Sequence, residues 1–360
     1  MTNVFAAQQA NDQSVRSIVT VTSPGDKVRL RLDNRFGSRA VRFGPVRVGL
    51  RSAGPALVGG SNRQVRFGGL ADVTIPVGGQ VVSDPVAFPL QAGDTIAVSM
   101  HVVGLSGRVT WHKIAHAVSY VSDPRSGDQT ADYSGLGYQT MAQSWFWMVG
   151  VDQQSSFPGT VVALGDSITD GYPVILGEQH TWPGIVATRL AAAAAPLRHA
   201  VVNAGIGGNR LTGVISPECG PSALDRLNHD ALDLPHVTHL IVFEGTNDLG
   251  SGASAGQVIA ALQQIVVRAH QRGIKVIGAT ITPRADLIWN NTTMEPARLV
   301  VNRWIRTAGA FDGVIDFDAV LRDPTNPHQL APAFDSGDHV HPSALGYEAL
   351  GNAVNLSLFA

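Results

Sequence analysis

The sequence has one cysteine, little net charge and no long apolar run. Cys219 stands alone among 360 residues, so no disulfide can form within the chain, and we expect its thiol to be a small buried side chain. A formal net charge of −2 argues against nucleic acid or an anionic membrane as the main partner, because both require basic patches. A membrane-spanning helix needs about 18 or more consecutive apolar residues, which the sequence lacks. We therefore expect no nucleic-acid partner and no membrane span.

The first nine residues also lack the features of a secretory signal peptide. Met1 to Gln9 contain neither the basic segment nor the long apolar segment of a secretory signal peptide. The mature form of a secreted protein behind an added Met would begin in the same way. Secretion and a cytoplasmic location therefore both stay open at this point.

The chain is too long for one ordinary hydrophobic core and predicts two domains. Apolar residues make up 44% and charged residues 15%, as in a globular protein. The pattern changes at Gln153–Gly159, a polar stretch that ends in Pro-Gly and is typical of a linker. We expect an accessory domain over 1–152, this linker over 153–159, and a second domain over 160–360.

The first domain is predicted to be all-β. Short segments favour strands, with apolar and charged residues alternating in Val28–Leu32 and Val46–Val48, and with Ile96–Met100 as a further candidate. Glycine and proline interrupt the region at short intervals, and no helical period appears. This combination predicts a β-sandwich or jelly roll. The aromatic run Trp145–Trp147 at its end is interpreted as packing in a core or between domains.

The second domain alternates strands with helices, which predicts a parallel sheet covered on both faces. The predicted strands are Val161–Leu164, His199–Asn203, His239–Phe243, Lys275–Ile281 and Val314–Phe317. The predicted helices are Thr181–Ala195, Ser222–Leu232, Ser254–Gln271, Pro296–Ala308 and Pro342–Phe359.

The first of these strands runs directly into Gly165-Asp166-Ser167. Ligands of open α/β sheets bind at the carboxyl ends of the strands, so Ser167 is expected at the mouth of a crevice, near the start of a helix. Asp and Ser are also common residues at helix N-termini, and the same three residues could simply cap that helix. The stretch alone does not decide between a nucleophile and a cap.

The next two strand ends also carry polar or flexible residues. Asn203–Asn209 is rich in glycine, which lets backbone N–H groups approach a ligand closely, but its spacing is not a dinucleotide fingerprint. Asn247, after the third strand, is either a turn residue or a donor to an oxyanion.

A compact acidic and basic cluster lies near the C-terminus. Asp338 and His341 are three residues apart, and one tight turn would place the carboxylate against the ring. Pro342 suits the first position of a helix, which would make His341 its N-cap. A metal site that includes His339 is the rival interpretation. It would need a further ligand cluster, and no zinc-binding spacing occurs.

Together these stretches resemble the sequence blocks of the SGNH hydrolases, also called the GDSL esterase/lipase family. The blocks are Gly165-Asp166-Ser167, the glycine of Gly207-Gly208, Gly245-Thr-Asn247-Asp248, and Asp338-x-x-His341. They cover residues about 160 to 358 in the family's order. Ile168 stands where the family name has Leu.

The resemblance implies a flavodoxin-like α/β/α hydrolase domain that needs no metal and no cofactor. Ser167 is then the nucleophile, His341 the base and Asp338 its orienter. The oxyanion hole is formed by the N–H groups of Ser167 and Gly208 and by the amide of Asn247, with Gly205 as an alternative to Gly208. The β-rich half is similar to a domain that precedes the hydrolase domain in bacterial, often secreted, members, so the resemblance implies secretion, with a cytoplasmic location as the alternative.

These implications predict a serine esterase that hydrolyses carboxylic esters, with short acyl groups, through an acyl-Ser167 intermediate. The substrate is then a small-molecule ester or an ester carried on a glycan. One alternative is a carbohydrate O-acetylesterase whose β domain helps to hold the glycan. Another, from a different class, is a binding protein with an inactive hydrolase half.

Overall fold

The computed structural model describes residues 9–173, 180–286, 289 and 292–360. It divides into two compact units, Met1–Ser156 and Phe157–Ala360, so the predicted two-domain architecture is confirmed. Residues 1–8, where a signal peptide would begin, lie outside the described part of the chain. Within that part, no helix has the length and apolar character needed to cross a bilayer.

The N-terminal unit consists of antiparallel strands arranged in two main sheets. The larger sheet has the order β11-β10-β1-β8-β3-β4, with β5 paired to β3, and the smaller has the order β13-β2-β6, with β7 paired to β2. The remaining two strands, β9 and β12, pair with each other. The bounds are β1 Asn11–Thr20, β2 Gly25–Asp33, β3 Val41–Leu50, β4 Arg63–Val65, β5 Val73–Ile75, β6 Gln80–Val82, β7 Val86–Leu90, β8 Thr95–Leu105, β9 Trp111–His112, β10 Ser119–Val121, β11 Thr140–Ala142, β12 Trp145–Phe146 and β13 Met148–Gln153.

The two sheets share one core, because alternate residues of their strands face it. Leu30 of β2 and Val98 of β8 belong to this core, as does the aromatic run at the end of the unit. Phe146 and Trp147 are each only 1% exposed, and Trp111 stacks on Phe146 with ring centroids 6.3 Å apart. The run therefore packs inside the β unit.

The C-terminal unit contains a parallel sheet with the strand order β15-β14-β16-β17-β18. This is the flavodoxin-like order 2-1-3-4-5, so the predicted α/β/α fold is confirmed. Its strands are β14 Thr160–Gly165, β15 Ala200–Gly205, β16 Val237–Phe243, β17 Lys275–Ala279 and β18 Gly313–Ile315. Its helices are α1 Ser167–Asp170, α2 Trp182–Ala192, α3 Ala223–Leu227, α4 Thr246–Gly250, α5 Ala255–His270, α6 Met294–Thr307, α7 Phe317–Leu321 and α8 Ala344–Ala353.

Alternate residues of the strands point to opposite faces of this sheet, and each face has its own core. Val162 and Leu240 pack with residues of α5 and α6 on one face. Val161 and Ile241 pack with residues of α2 and α8 on the other.

The register of the central strand brings three loops to one edge of the sheet. Gly165, the last residue of β14, is paired with Gly205 of β15 on one side and with Phe243 of β16 on the other. The chain leaves all three strands at the same level. The segments that begin with Asp166, Ile206 and Glu244 therefore start side by side.

Several predicted boundaries of helices and strands are wrong. The segment 222–232 is α3 followed by a π-helical turn over Asn228–Leu232. The last predicted strand ends at Ile315, since Asp316 caps α7 by accepting a hydrogen bond from the Ala319 N–H. The closing segment 342–359 is α8 and a separate 3₁₀ turn over Leu356–Phe359.

The predicted capping role of His341 is also wrong. The N-cap of α8 is Ser343, whose side chain accepts a hydrogen bond from the Gly346 N–H. Pro342 therefore precedes the helix, and the His341 ring is available for other contacts.

Candidate active site

Ser167 lies where β14 turns into the short helix α1. Asp166 is the N-cap of this helix, and its Oδ1 accepts a hydrogen bond of 2.9 Å from the Ile168 N–H. Ser167 is the first helical residue and is partly exposed, whereas Asp166 and Ile168 on either side are buried. Asp166 therefore caps the helix, and the Ser167 hydroxyl is not needed as a cap.

A chain of hydrogen bonds connects Ser167 to the C-terminal loop. Ser167 Oγ is 2.8 Å from His341 Nε2, and His341 Nδ1 is 2.6 Å from Asp338 Oδ2. The other carboxylate oxygen, Asp338 Oδ1, accepts from the backbone N–H groups of His341 at 2.8 Å and Val340 at 3.0 Å. One four-residue loop therefore holds both the ring and its carboxylate partner.

The protonation states follow from these contacts. Burial works to raise the pKa of Asp338, but the N–H groups of His341 and Val340 and the His341 ring lower it to about 2. The carboxylate is then ionised at neutral pH and can only accept, so His341 Nδ1 carries the ring hydrogen. Nε2 is left as an acceptor for the Ser167 hydroxyl. Burial lowers the pKa of His341, while Asp338 opposes that shift.

The neighbouring His339 makes a different contact. Its Nδ1 is 2.6 Å from Asp335 Oδ2, and its side chain is 60% exposed, against 16% for His341. The two histidines of the Asp338–His341 loop are thus paired with different carboxylates. In the ranges that the structure describes, no group of three His, Cys, Asp or Glu side chains is arranged to hold a metal ion.

Three potential hydrogen-bond donors lie around the same strand ends. The N–H groups of Ser167 and Gly208 have no acceptor among the described residues. Asn247 Nδ2 donates one hydrogen to the Asn209 carbonyl at 2.9 Å, and its second N–H remains available. Gly205, the alternative to Gly208, donates its N–H to Asn203 Oδ1 at 2.9 Å. Of the two glycines, Gly208 has the N–H that can reach a ligand.

Both the backbone conformation and the surroundings of position 208 favour glycine. Its φ of +73° lies in the left-handed region, and a Cβ there would be 2.7 Å from Cys219 Sγ. Cys219 is partly exposed, so the prediction that it is a buried side chain is wrong.

Tyr172 is a residue of the site that was not predicted from the sequence. Its ring makes an edge-on contact with the His341 ring, with centroids 4.8 Å apart and planes at 69°. The hydroxyl of Tyr347 donates to the Tyr172 carbonyl at 2.6 Å. Tyr172 follows α1 by two residues, and no spacing in the sequence distinguishes it from a surface aromatic residue.

Two buried carboxyl groups lie behind the nucleophile. Burial raises the pKa of Asp166 to about 7, although the hydrogen bond from the Ile168 N–H and the nearby charges of Arg284 and Arg226 lower it. Burial and the charge of Asp166 raise the pKa of Glu244 well above its usual range. Among the residues that the structure describes, neither oxygen of Glu244 has a hydrogen-bond partner. The sequence contains no signal for these shifts because they depend on burial.

Comparisons with known proteins identify a family and several similar solved structures. The model of the GDSL-like lipase/acylhydrolase family matches residues 163–349, more than half of the 360 residues. A comparison with curated proteins gives no match. Similar solved structures include a GDSL-like lipase from Bacteroides thetaiotaomicron VPI-5482 (18% identity, 57% of this chain and 91% of that chain covered, TM-score 0.43). Others are the M. smegmatis aryl esterase (16%, 54% and 95%, 0.44) and a carbohydrate acetylesterase from Sinorhizobium meliloti (15%, 54% and 95%, 0.42).

The matched range contains all the strand ends described above, from Ser167 to the loop of Asp338 and His341. It confirms the resemblance to SGNH hydrolases that the sequence blocks indicated, and with it the prediction of a carboxylic ester hydrolase. The chain belongs to the GDSL-like lipase/acylhydrolase family.

Proposed function

We propose that the protein is a serine esterase that cleaves carboxylic esters through an acyl-Ser167 intermediate. The observation that carries the proposal is the unbroken hydrogen-bond chain from Ser167 Oγ through the His341 ring to Asp338. An ionised carboxylate at one end of an imidazole leaves the other nitrogen basic, and that nitrogen faces a hydroxyl.

The first half of the reaction uses each group once. His341 Nε2 takes the proton of Ser167 as Oγ attacks the ester carbonyl carbon. The carbonyl oxygen becomes an oxyanion, which receives hydrogen bonds from the N–H groups of Ser167 and Gly208 and from the second N–H of Asn247. When the tetrahedral species collapses, His341 gives its proton to the departing alkoxide, which leaves as the alcohol.

The second half releases the acid. A water molecule attacks the acyl-Ser167 carbonyl while His341 accepts one of its protons. The same donors stabilise the second oxyanion, and His341 returns the proton to Ser167 Oγ. Asp338 keeps the ring in one tautomer through both halves.

We further propose that the preferred esters have short acyl groups. Apart from the partly exposed Ile206, the first residues of the two adjoining loops are small or polar, as with Gly207, Gly208 and Asn247, and they offer little apolar surface to a long chain. Two exposed apolar residues, Val214 and Ile215, follow further along the glycine-rich loop.

A substrate panel tests this proposal. We expect kcat/KM to be highest for p-nitrophenyl acetate or butyrate and to fall for octanoate and palmitate. A preference for long chains that is lost in a Val214→Ser/Ile215→Ser variant would contradict it and assign those residues to an acyl site. The panel also includes acetylated xylose oligomers. Faster deacetylation of these than of p-nitrophenyl acetate would favour the carbohydrate O-acetylesterase.

Removal of a triad member should abolish turnover without unfolding the protein. Ser167→Ala and His341→Ala are each expected to lower kcat by at least about 10⁴-fold, since the triad acts as a unit. The matched control is His339→Ala, which removes a histidine of the same loop that pairs with Asp335, and it should retain activity. Initial rates and circular dichroism spectra are the measurements. Loss of activity in His339→Ala with an active His341→Ala would overturn the choice of base.

The pH dependence of kcat/KM should report the base. His341 works only when neutral, and its pKa is lowered by burial from an ordinary value of about 6.5. The rate should therefore rise with pH, reach half its maximum below about pH 6.5, and stay high at mildly alkaline pH. Asp338→Asn removes the charge that opposes the shift, so its midpoint should move to lower pH at a reduced plateau. A wild-type midpoint clearly above pH 7, or a maximum near pH 4, would contradict this.

A further inference from the structure

Arg226 is a buried arginine that donates three hydrogen bonds to residues beside the predicted oxyanion hole. It belongs to α3 and is 1% exposed. Nε donates to Asn209 Oδ1 at 2.9 Å, Nη2 to the Gly165 carbonyl at 3.0 Å, and Nη1 to the Ala204 carbonyl at 2.7 Å. The mechanism above makes no use of this side chain.

The bond to Asn209 connects Arg226 with two of the three oxyanion donors. Asn209 follows Gly208 directly in the chain and closes the turn that contains it, since the Asn209 N–H donates to the Ile206 carbonyl at 3.0 Å. Its carbonyl accepts the hydrogen bond from Asn247 Nδ2, which directs the second N–H of that amide. The Asn209 side chain is held on both ends, since its Nδ2 donates to the carbonyls of Cys219 and Pro221 at 2.8 Å each.

The two carbonyl bonds connect Arg226 with the third donor. Gly165 is the last residue of β14 and lies two residues before Ser167, whose N–H is predicted to face the oxyanion. Ala204 of β15 is paired with Leu164, one residue before the pair of Gly165 and Gly205. A planar guanidinium that bonds to both carbonyls fixes the spacing of the two strand ends.

The charge of Arg226 is balanced within α3 and its continuation. Nη1 lies 3.1 Å from Asp230 Oδ2, and Glu244 is 3.8 Å from Nη2 without a hydrogen bond. Burial works to raise the pKa of Asp230, but the bond from His229 and the charge of Arg226 lower it. Asp230 is therefore the counter-charge, and the guanidinium is held among fixed partners.

We propose that Arg226 is a positioning residue that holds the Ser167, Gly208 and Asn247 donors in the geometry that binds the oxyanion. This inference rests on the proposed oxyanion hole. Because these donors act mainly in the transition state, their misplacement should lower kcat and leave KM nearly unchanged.

The test compares two buried arginines of the same domain. Arg226→Lys keeps the charge but loses the planar set of donors, and we expect about a 10²-fold loss of kcat with little change in KM. Arg298→Lys is the matched control. Arg298 is 0% exposed and bonds to Glu295, Asp318 and the Ile281 carbonyl, none of which has a predicted catalytic role. Its replacement should lower the melting temperature and leave kcat unchanged.

A double-mutant cycle with Asn247→Ala separates the possible failures. Asn247→Ala alone should lower kcat by about 10²–10³-fold, and adding Arg226→Lys should then cost less than it does in the wild type. Wild-type kcat in Asn247→Ala would overturn the proposed oxyanion hole. A slow Asn247→Ala enzyme together with Arg226→Lys kinetics that match those of Arg298→Lys would overturn only the role of Arg226. Full additivity of the two losses would also overturn it.

A second variant keeps the proposal testable if Arg226→Lys does not fold. Asn209→Asp retains the oxygen that Arg226 binds, but it replaces the Nδ2 group that anchors the loop to the Cys219 and Pro221 carbonyls. We expect the same pattern of lowered kcat at constant KM. An Asn209→Asp enzyme with wild-type kcat would contradict the coupling through Asn209.

Discussion

The pairing of β14 between β15 and β16 is the constraint on which the site depends. Gly165 is level with Gly205 on one side and Phe243 on the other, so three loops leave the sheet at one edge. No single loop contains the site. Ser167, Gly208 and Asn247 each come from a different strand end, and a shift of register would separate them. The C-terminal loop then needs only to bring the His341 ring to Ser167.

Buried charge is concentrated behind this edge. Asp166 and Glu244 lie in the interior with pKa values raised by burial, and Arg226 binds the strand ends beside them. Near pH 7 Glu244 is neutral and Asp166 is only partly ionised, so these two groups carry less negative charge near the predicted oxyanion hole than two ordinary carboxylates would. Ionised carboxylates there would oppose an oxyanion. The only carboxylate of the triad, Asp338, is held on the opposite side of the His341 ring from Ser167.

The sequence predicted the elements whose signals are local. Apolar strands that end in Gly165 or Phe243, and the alternation of strands with helices, were enough for the α/β/α fold. Asp338 and His341 could be predicted because residues three positions apart can contact each other within one tight turn. The N-cap of α8 was misplaced because Pro342 is permitted both inside a first turn and just before it. Tyr172, Arg226 and Glu244 were missed because their contacts depend on packing between segments far apart in the chain, which no spacing records.

The most direct test of the account is to trap the serine. The full-length protein would be incubated with a p-nitrophenyl alkylphosphonate and analysed by mass spectrometry, intact and after proteolysis. The account predicts one phosphonyl adduct per chain, located on Ser167 and absent from Ser167→Ala, with release of one equivalent of p-nitrophenol. An unmodified protein, or an adduct on another residue with Ser167 free, would contradict the claim that this hydrolase works through Ser167.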